Sequence, residues 1–353
     1  MSTADSPRAA ELGLGIRAHR LSSPAALLVA GAAVALTAAA FAVTPLRGGA
    51  QFMVLAGAAA AASVTAATWA LEGRRRAVDR LATVLVAGAL LVALTPLGLV
   101  LFFVLKRGLE RFDLYFLTHS MAGVGPLDAT GGVYHAVLGT LEQVGIATAV
   151  SVPLGVLVAV YVTEYGEGTL AKAIRFFVDV MTGIPSIVAG LFIYAFWVLL
   201  LRQGYSGLAA ALALSVLMLP VVIRSAEEMI RLVPDSLREA SYALGVPKWR
   251  TIVSVVLPSA LTGITTGVML AVARVTGETA PLILTTFGND YIRTNPFNGP
   301  QSALPLFVFQ QAGSAFDVAI QRAWAGALTL VLIVAVLYFG ARLLTWRNAL
   351  TRR

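Results

Sequence analysis

Residues 238–281 read REASYALGVPKWRTIVSVVLPSALTGITTGVMLAVARVTGETAP, and two textures meet in them. The first half is polar and amphipathic and ends at Leu257-Pro258. The second is an apolar run expected to form one helix carrying Arg274 and Glu278 inside it. Neither half suits a soluble enzyme. Charge at bilayer depth is rare and usually functional, whereas a short amphipathic helix on one membrane face is the kind of surface a partner protein grips. The combination points to a transport path beside a docking site.

The rest of the chain agrees. Of 353 residues, 58% are hydrophobic and 12% charged, with a mean hydropathy of +0.83; soluble domains carry about 25% charged residues. This is the composition of a polytopic membrane protein. The net charge of +8 is then explained by arginine-rich cytoplasmic loops rather than by nucleic-acid contact. Cysteine is absent, which excludes disulfides and thiol chemistry. His19, His119 and His135 lie far apart and read as loop residues, so no metal site is expected.

A membrane span needs about 20 apolar residues, and such runs fall near 24–43, 52–71, 81–105, 137–163, 174–201, 207–223, 258–286 and 323–344, which makes eight. Arg8, Arg17 and Arg20 precede the first run, and Ala40-Phe41-Ala42 imitates a signal cleavage site. The run is long enough to span and others follow at once, so a retained helix is the expectation. Alternate loops hold eighteen Lys and Arg against seven on the other side. That bias puts both termini and the 224–257 loop in the cytoplasm. Residues 1–79 form an alanine-rich hairpin, and residues 80–353 contain every candidate functional residue. Two external loops, 106–136 and 287–321, are long and turn-rich; the apolar stretch 304–309 of the second is expected to form a short helix touching a partner.

Within the 224–257 loop, Ser236 as N-cap and Glu239 three residues on form a capping box. Leu237, Ala240, Ser241 and Leu244 share a face. Gly245 then suits a left-handed C-terminal position, and Pro247 opens a second helix whose face is Trp249, Ile252, Val253 and Val256. This is either a hairpin lying on the bilayer or a helix presented to a cytoplasmic groove. Glu239-Ala240-Ser241, Gly245 and Val255-Val256-Leu257-Pro258 resemble the EAA loop of ABC importer permeases, with Ser241 and Val255 as mild departures. The resemblance implies that Glu239, Ala240, Ser241, Gly245, Leu257 and Pro258 couple the chain to a separate ATP-hydrolysing subunit. The chain has no G-x-x-x-x-G-K-[ST] phosphate loop, in keeping with a non-enzymatic role.

Arg274 and Glu278, spaced i,i+4, would share one helix face. They either staple the bundle or serve the substrate. Desolvation cancels much of the attraction in a buried pair, which favours the second reading, and a partly neutralised guanidinium suits an oxyanion. Arg274-Val275-Thr276-Gly277-Glu278-Thr279-Ala280-Pro281-Leu282 resembles the matching segment of PstA-type permease subunits of phosphate ABC importers. The similarity extends over 238–250 and over 179–190. In the latter, Gly183 and Pro185 either kink a span or start a new helix at Ser186 whose N–H groups meet an anion.

The resemblance covers about 80–344 and implies an all-α bundle, the type I ABC importer permease core, with the hairpin as an extension. It implies phosphate uptake through the inner membrane, with Arg274, Glu278, Thr279 and Ser186 along the path and no cofactor. The implied partners are a second permease subunit, two cytoplasmic ATP-binding subunits and an extracytoplasmic phosphate-binding protein, within membrane lipid and without nucleic acid. A permease for sulfate or molybdate, a proton-coupled secondary transporter working through Glu278, and a non-transporting scaffold are the alternatives.

Overall fold

The computed structural model describes residues 23–43 and 48–350. Arg8, Arg17, Arg20, Arg47, Arg352 and Arg353 of the charge count, and His19, lie outside the described residues. The chain divides after Leu101 into two compact units.

The first unit contains α1 (Ser23–Val43), α2 (Gly49–Glu72) and most of α3 (Arg74–Gly108). α1 and α2 pack as a hairpin through small residues, with Ala33, Ala56 and Val64 buried and Phe41 set edge-on to Phe52 at 5.3 Å. α1 runs unbroken through Ala40-Phe41-Ala42.

The second unit begins with the end of α3 and continues through α4 (Leu114–Thr118) and α5 (Tyr134–Val160), which is extended by a π turn at Tyr161–Tyr165. α6 (Thr169–Thr182) and α7 (Ser186–Ile193), the latter extended by a π turn at Tyr194–Leu200, lead to the long α8 (Gly207–Arg231). Then come α9 (Asp235–Ala243), α10 (Lys248–Thr251) with a π turn at Ile252–Val256, α11 (Leu257–Thr276), α12 (Ala280–Thr285), α13 (Leu304–Ala312) and α14 (Asp317–Leu350). Among the described residues no strand forms; one isolated bridge pairs Phe287 with Gln301.

Among the described residues seven helices are long and apolar enough to cross a membrane, and the eighth expected span is a broken one. The run at 174–201 is not a straight span: α6 and α7 meet at 107°. Pro185 cannot supply the N–H that a continuous helix needs, so a new helix starts after it.

The core of this unit forms where α8 lies against α5. Ala209, Ala210, Ala211 and Ala213 are all buried on α8. Small side chains let membrane helices approach closely, so packing rather than water exclusion holds them. Ala210 clusters with Val144, Ala147, Leu214, Met218, Val222, Ala271, Val275, Leu282, Ala303 and Leu306, while Ala209 and Ala213 pack with Ile193.

A polar knot ties one end. The Gln143 amide donates to the Gln301 side-chain oxygen at 3.0 Å and to the Ser302 carbonyl at 3.2 Å. Gln301 in turn donates to Glu142 at 2.5 Å and to the Arg293 carbonyl at 3.1 Å. Buried amides in a low-dielectric interior are costly unless paired in this way.

The segments expected to be external loops are less loop-like than their composition. Leu304 and Phe307 are buried against Phe116 and Ala325, and Leu306 against the α5–α8 cluster, so the stretch expected to touch a partner packs largely inward. His135 is also buried, edge-on to Phe307 at 5.7 Å, rather than placed in a loop. Arg322, counted above as a loop charge, is buried. It donates to the carbonyls of Asp128 (2.7 Å) and Thr130 (3.1 Å) and to the Gln311 side chain (3.0 Å), and so holds the 119–133 loop shut. Desolvation pushes the neighbouring Asp290 carboxyl above the ordinary carboxylate range, against the pull of Arg322.

Candidate functional site

The quoted stretch divides differently from the sequence expectation. α11 ends at Thr276, and Gly277 caps it by donating to the carbonyls of Arg274 and Val275. Glu278 and Thr279 lie in a non-helical break, and Thr279 opens α12. The single helix expected over 258–286 is therefore two, with Glu278 between them. Pro281 sits in the first turn of α12, where its missing N–H breaks no helical bond.

Arg274 thus occupies the last turn of α11, where the helix dipole favours a cation. Its Nε lies 3.9 Å from Glu278 Oε1, an ion pair too long to be a hydrogen bond. The Arg274 side chain is 67% exposed and that of Glu278 18%. The pair does not staple two helices, because both partners flank one break. Among the described residues no hydrogen bond reaches the guanidinium, so its donor fork is open.

The second broken element meets the first. Ser186 begins α7, with Pro185 at the N-cap and the Val188 N–H donating to the Pro185 carbonyl at 2.9 Å. One turn on, Gly190 packs directly on Pro281: a Cβ built at 190 would lie 2.5 Å from the Pro281 Cα. Only a glycine admits that approach, and the contact joins the α6–α7 break to the α11–α12 break. Ser186, Glu278 and Thr279 are each half-buried near this junction, while Arg274 projects from it.

The docking segment also forms, with corrected ends. α9 begins at Asp235, with Pro234 in the N-cap position at ψ 138°. The expected capping box is absent: no side-chain bond caps the helix, because Pro234 already turns the chain two residues before Ser236 can. Gly245 has φ +74°, the left-handed conformation expected of it, and donates to the Tyr242 carbonyl at 2.9 Å. Pro247 precedes α10 as its N-cap.

Ser241 is buried and shares a 2.8 Å hydroxyl bond with Thr251, which sets α9 against α10. Glu239 and Ala240 face outward, as do Leu237, Leu244, Trp249 and Val253. The expected apolar face of α10 splits, with Ile252 and Val256 turning into the core. Leu257-Pro258 does not restart the chain; the π turn at Ile252–Val256 runs straight into α11 and accommodates the proline.

One residue here had no role assigned from sequence. Arg238 roots α9 in the membrane unit. It donates to Glu164 at 2.9 and 3.1 Å, to the Val233 carbonyl at 2.6 Å and to the Ile230 carbonyl at 3.0 Å. Its acidic partner lies 74 residues away on the π turn after α5, so spacing carried no signal. Among the described residues no cluster of three or more His, Cys, Asp or Glu is arranged to hold a metal.

Comparison with known proteins gives a consistent picture. The family described as binding-protein-dependent transport system inner membrane component matches residues 151–349. The phosphate transport system permease protein PstA 1 of Mycobacterium tuberculosis (strain CDC 1551 / Oshkosh) is 46% identical over 283 residues, 79% of this chain and 92% of that protein. The phosphate transport system permease protein PstA of Yersinia pestis is 40% identical over 271 residues, 76% of this chain and 90% of that protein. A chain of the inward-facing MetNI methionine ABC transporter aligns with a TM-score of 0.49 and 21% identity, covering 60% of this chain and 92% of that one.

Proposed function

Because this chain belongs to the family of inner-membrane components of binding-protein-dependent transport systems, we propose that it is the permease subunit of an ATP-driven phosphate importer. The observation that carries the reading is the exposed, unbonded Arg274 fork at the end of α11, in a chain 46% identical to a phosphate permease. A cation held against hydrocarbon is costly, even in the last turn of a helix, where the dipole favours it. Glu278 at 3.9 Å offsets only part of its charge. Arg274 therefore faces a polar path, and its planar fork suits phosphate bidentately. Glu278 tunes that arginine, with Thr279 and Ser186 beside the path.

We assign residues 80–353 to the permease domain, with the type I importer arrangement, and 1–79 to an accessory hairpin. Both termini and the 224–257 loop face the cytoplasm. A second permease subunit encloses the path, and an external phosphate-binding protein delivers the substrate. Two cytoplasmic ATP-binding subunits hydrolyse ATP and grip the outward face of α9 and α10 through Glu239, Ala240 and Gly245, while Ser241, buried beneath that face, holds α9 on α10. Leu257 and Pro258 pass the movement into α11. This chain itself performs no chemistry.

The test is phosphate uptake by the reconstituted complex. Arg274→Gln should lower uptake by about 10²-fold or more, the scale of losing one preorganised donor, while the subunits still co-purify. Unaltered uptake overturns the role of Arg274. Competition of phosphate uptake by sulfate or molybdate at equal concentration overturns the phosphate assignment, and uptake without ATP that follows the proton gradient overturns the ATP-driven one.

A further inference from the structure

The bonds of Arg238 account for how α9 is rooted, but not for how its movement reaches the break at 183–185. A second cluster supplies the link. The Glu227 side chain on α8 is 3% exposed and accepts from three arginines: Arg175 at 3.1 Å, Arg224 at 3.2 Å and Arg231 at 2.5 Å. Arg231 and Arg224 belong to the same helix as Glu227. Arg175 belongs to α6, the half-span before the break. Arg224 in turn pairs with Asp179, also on α6. A carboxylate this buried is normally a liability; three guanidinium donors make it a fixed point.

Arg175 does a second thing. Its Nη2 donates at 2.7 Å to the carbonyl of Val162, in the same π turn that carries Glu164. Glu164 is the residue that holds Arg238 of the docking helix. The bonded elements therefore run in series: α9 to the π turn through Arg238 and Glu164, and the π turn to α6 through Val162 and Arg175. α6 is fixed to α8 through Glu227 and Asp179. Three residues after Asp179, Thr182 donates back to the Asp179 carbonyl at 2.7 Å, and the break follows. Beyond it, α7 bears on Pro281 through Gly190.

On the reading of this chain as an ATP-driven permease, we propose that Arg175 and Glu227 are positioning residues that lock α6 to α8 and to the π turn, so that a displacement of the docking helix moves the α6–α7 break as one body with it. Neither residue touches substrate. Spatial continuity alone does not establish energetic coupling, so the readout must be the coupling itself.

The experiment uses the full complex in liposomes and measures ATP hydrolysed and phosphate imported by the same sample. A merely structural defect lowers both together and leaves their ratio unchanged. Arg175→Gln should lower phosphate imported per ATP by about tenfold, a coupling change of ~1.4 kcal/mol, with ATP hydrolysis retained. The chain contains no cysteine, which permits a second variant. Arg175→Cys together with Glu227→Cys should lose the ratio, and a short bis-maleimide bridging the two thiols should restore it, with the single-cysteine variants as controls. An unchanged ratio in Arg175→Gln, or an assembled and bridged double variant that stays uncoupled, overturns the proposal. A wild-type complex that hydrolyses ATP without importing phosphate would instead defeat the underlying functional reading.

Discussion

The contact between Gly190 and Pro281 offers a sharp test of the junction. Replacing Gly190 with alanine puts a methyl 2.5 Å from the Pro281 Cα and 3.1 Å from both its Cβ and its carbonyl oxygen. Carbon atoms rest at about 3.5–4.0 Å, so α7 and α12 must part by roughly 1–1.5 Å. The nearest atom is backbone and cannot rotate aside. Overpacking of this kind costs about 1–3 kcal/mol, whereas alanine in a helix interior gains about 1 kcal/mol over glycine. The clash wins or nearly balances, so the protein still assembles with a shifted junction.

Function should suffer more, because a misplacement of about 1 Å near a working site costs about 10²-fold. The assay is phosphate uptake by the reconstituted complex, with thermal unfolding measured alongside. Gly183→Ala is the control: its φ is −88°, and its nearest neighbour would be the Val180 carbonyl oxygen at 3.5 Å. Uptake by Gly190→Ala should fall by about 10²-fold while Gly183→Ala stays near wild type. Normal uptake with raised stability in Gly190→Ala would refute the close approach. An equal loss in both variants would refute its specificity.

Three other perturbations follow from the described bonds. Arg238→Gln leaves Glu164 without its cation, and breaking a buried pair costs about 3–5 kcal/mol; a lower unfolding temperature and loss of ATP-binding subunit on purification should both appear. Gly245→Ala forces a side chain into φ +74°, at about 1–2 kcal/mol. It should weaken ATP-binding subunit affinity about tenfold, with Gly245→Asn milder because asparagine tolerates that conformation. Gln301→Leu removes one of the two acceptors of the Gln143 amide and the donor to Glu142 and the Arg293 carbonyl. It should destabilise by about 1–3 kcal/mol for each group left unsatisfied, while the uptake of surviving protein is unchanged.

The spans were legible because hydrocarbon thickness imposes a length, and hydropathy reports length. Direction is another matter. The run at 174–201 is as apolar as its neighbours, yet turns through 107° at 183–185. Gly183 and Pro185 were visible as signals, but neither distinguishes a kink from a restart. The 224–257 loop was legible in its glycine and wrong in its cap, since Pro234 acts two residues before Ser236 could. Arg274 stood out because charge is conspicuous among apolar residues. Its environment did not: the i,i+4 spacing to Glu278 was read as one helix, and that helix ends between them at Gly277, with Pro281 in the first turn of the next. Arg175 and Glu227 were invisible as a pair, because 52 residues separate them. Arg175 was counted only as a loop charge, and nothing in the sequence singled out Glu227.

The π turns give chain length itself a meaning. A π turn is a stretch of helix holding one residue more than an α-helix would, and one residue corresponds to about 100° of rotation. The turn at Ile252–Val256 lies between the docking helices and α11. It therefore fixes the angle at which Arg274 leaves the bundle relative to the outward face of α9 and α10. The turn at Tyr161–Tyr165 likewise sets the direction from which Glu164 meets Arg238. A conservative exchange of side chain in either segment preserves that phase. Deletion of a single residue, however bland, does not, and everything downstream arrives rotated. Length variation inside these two short segments is thus a graver change than most substitutions around them.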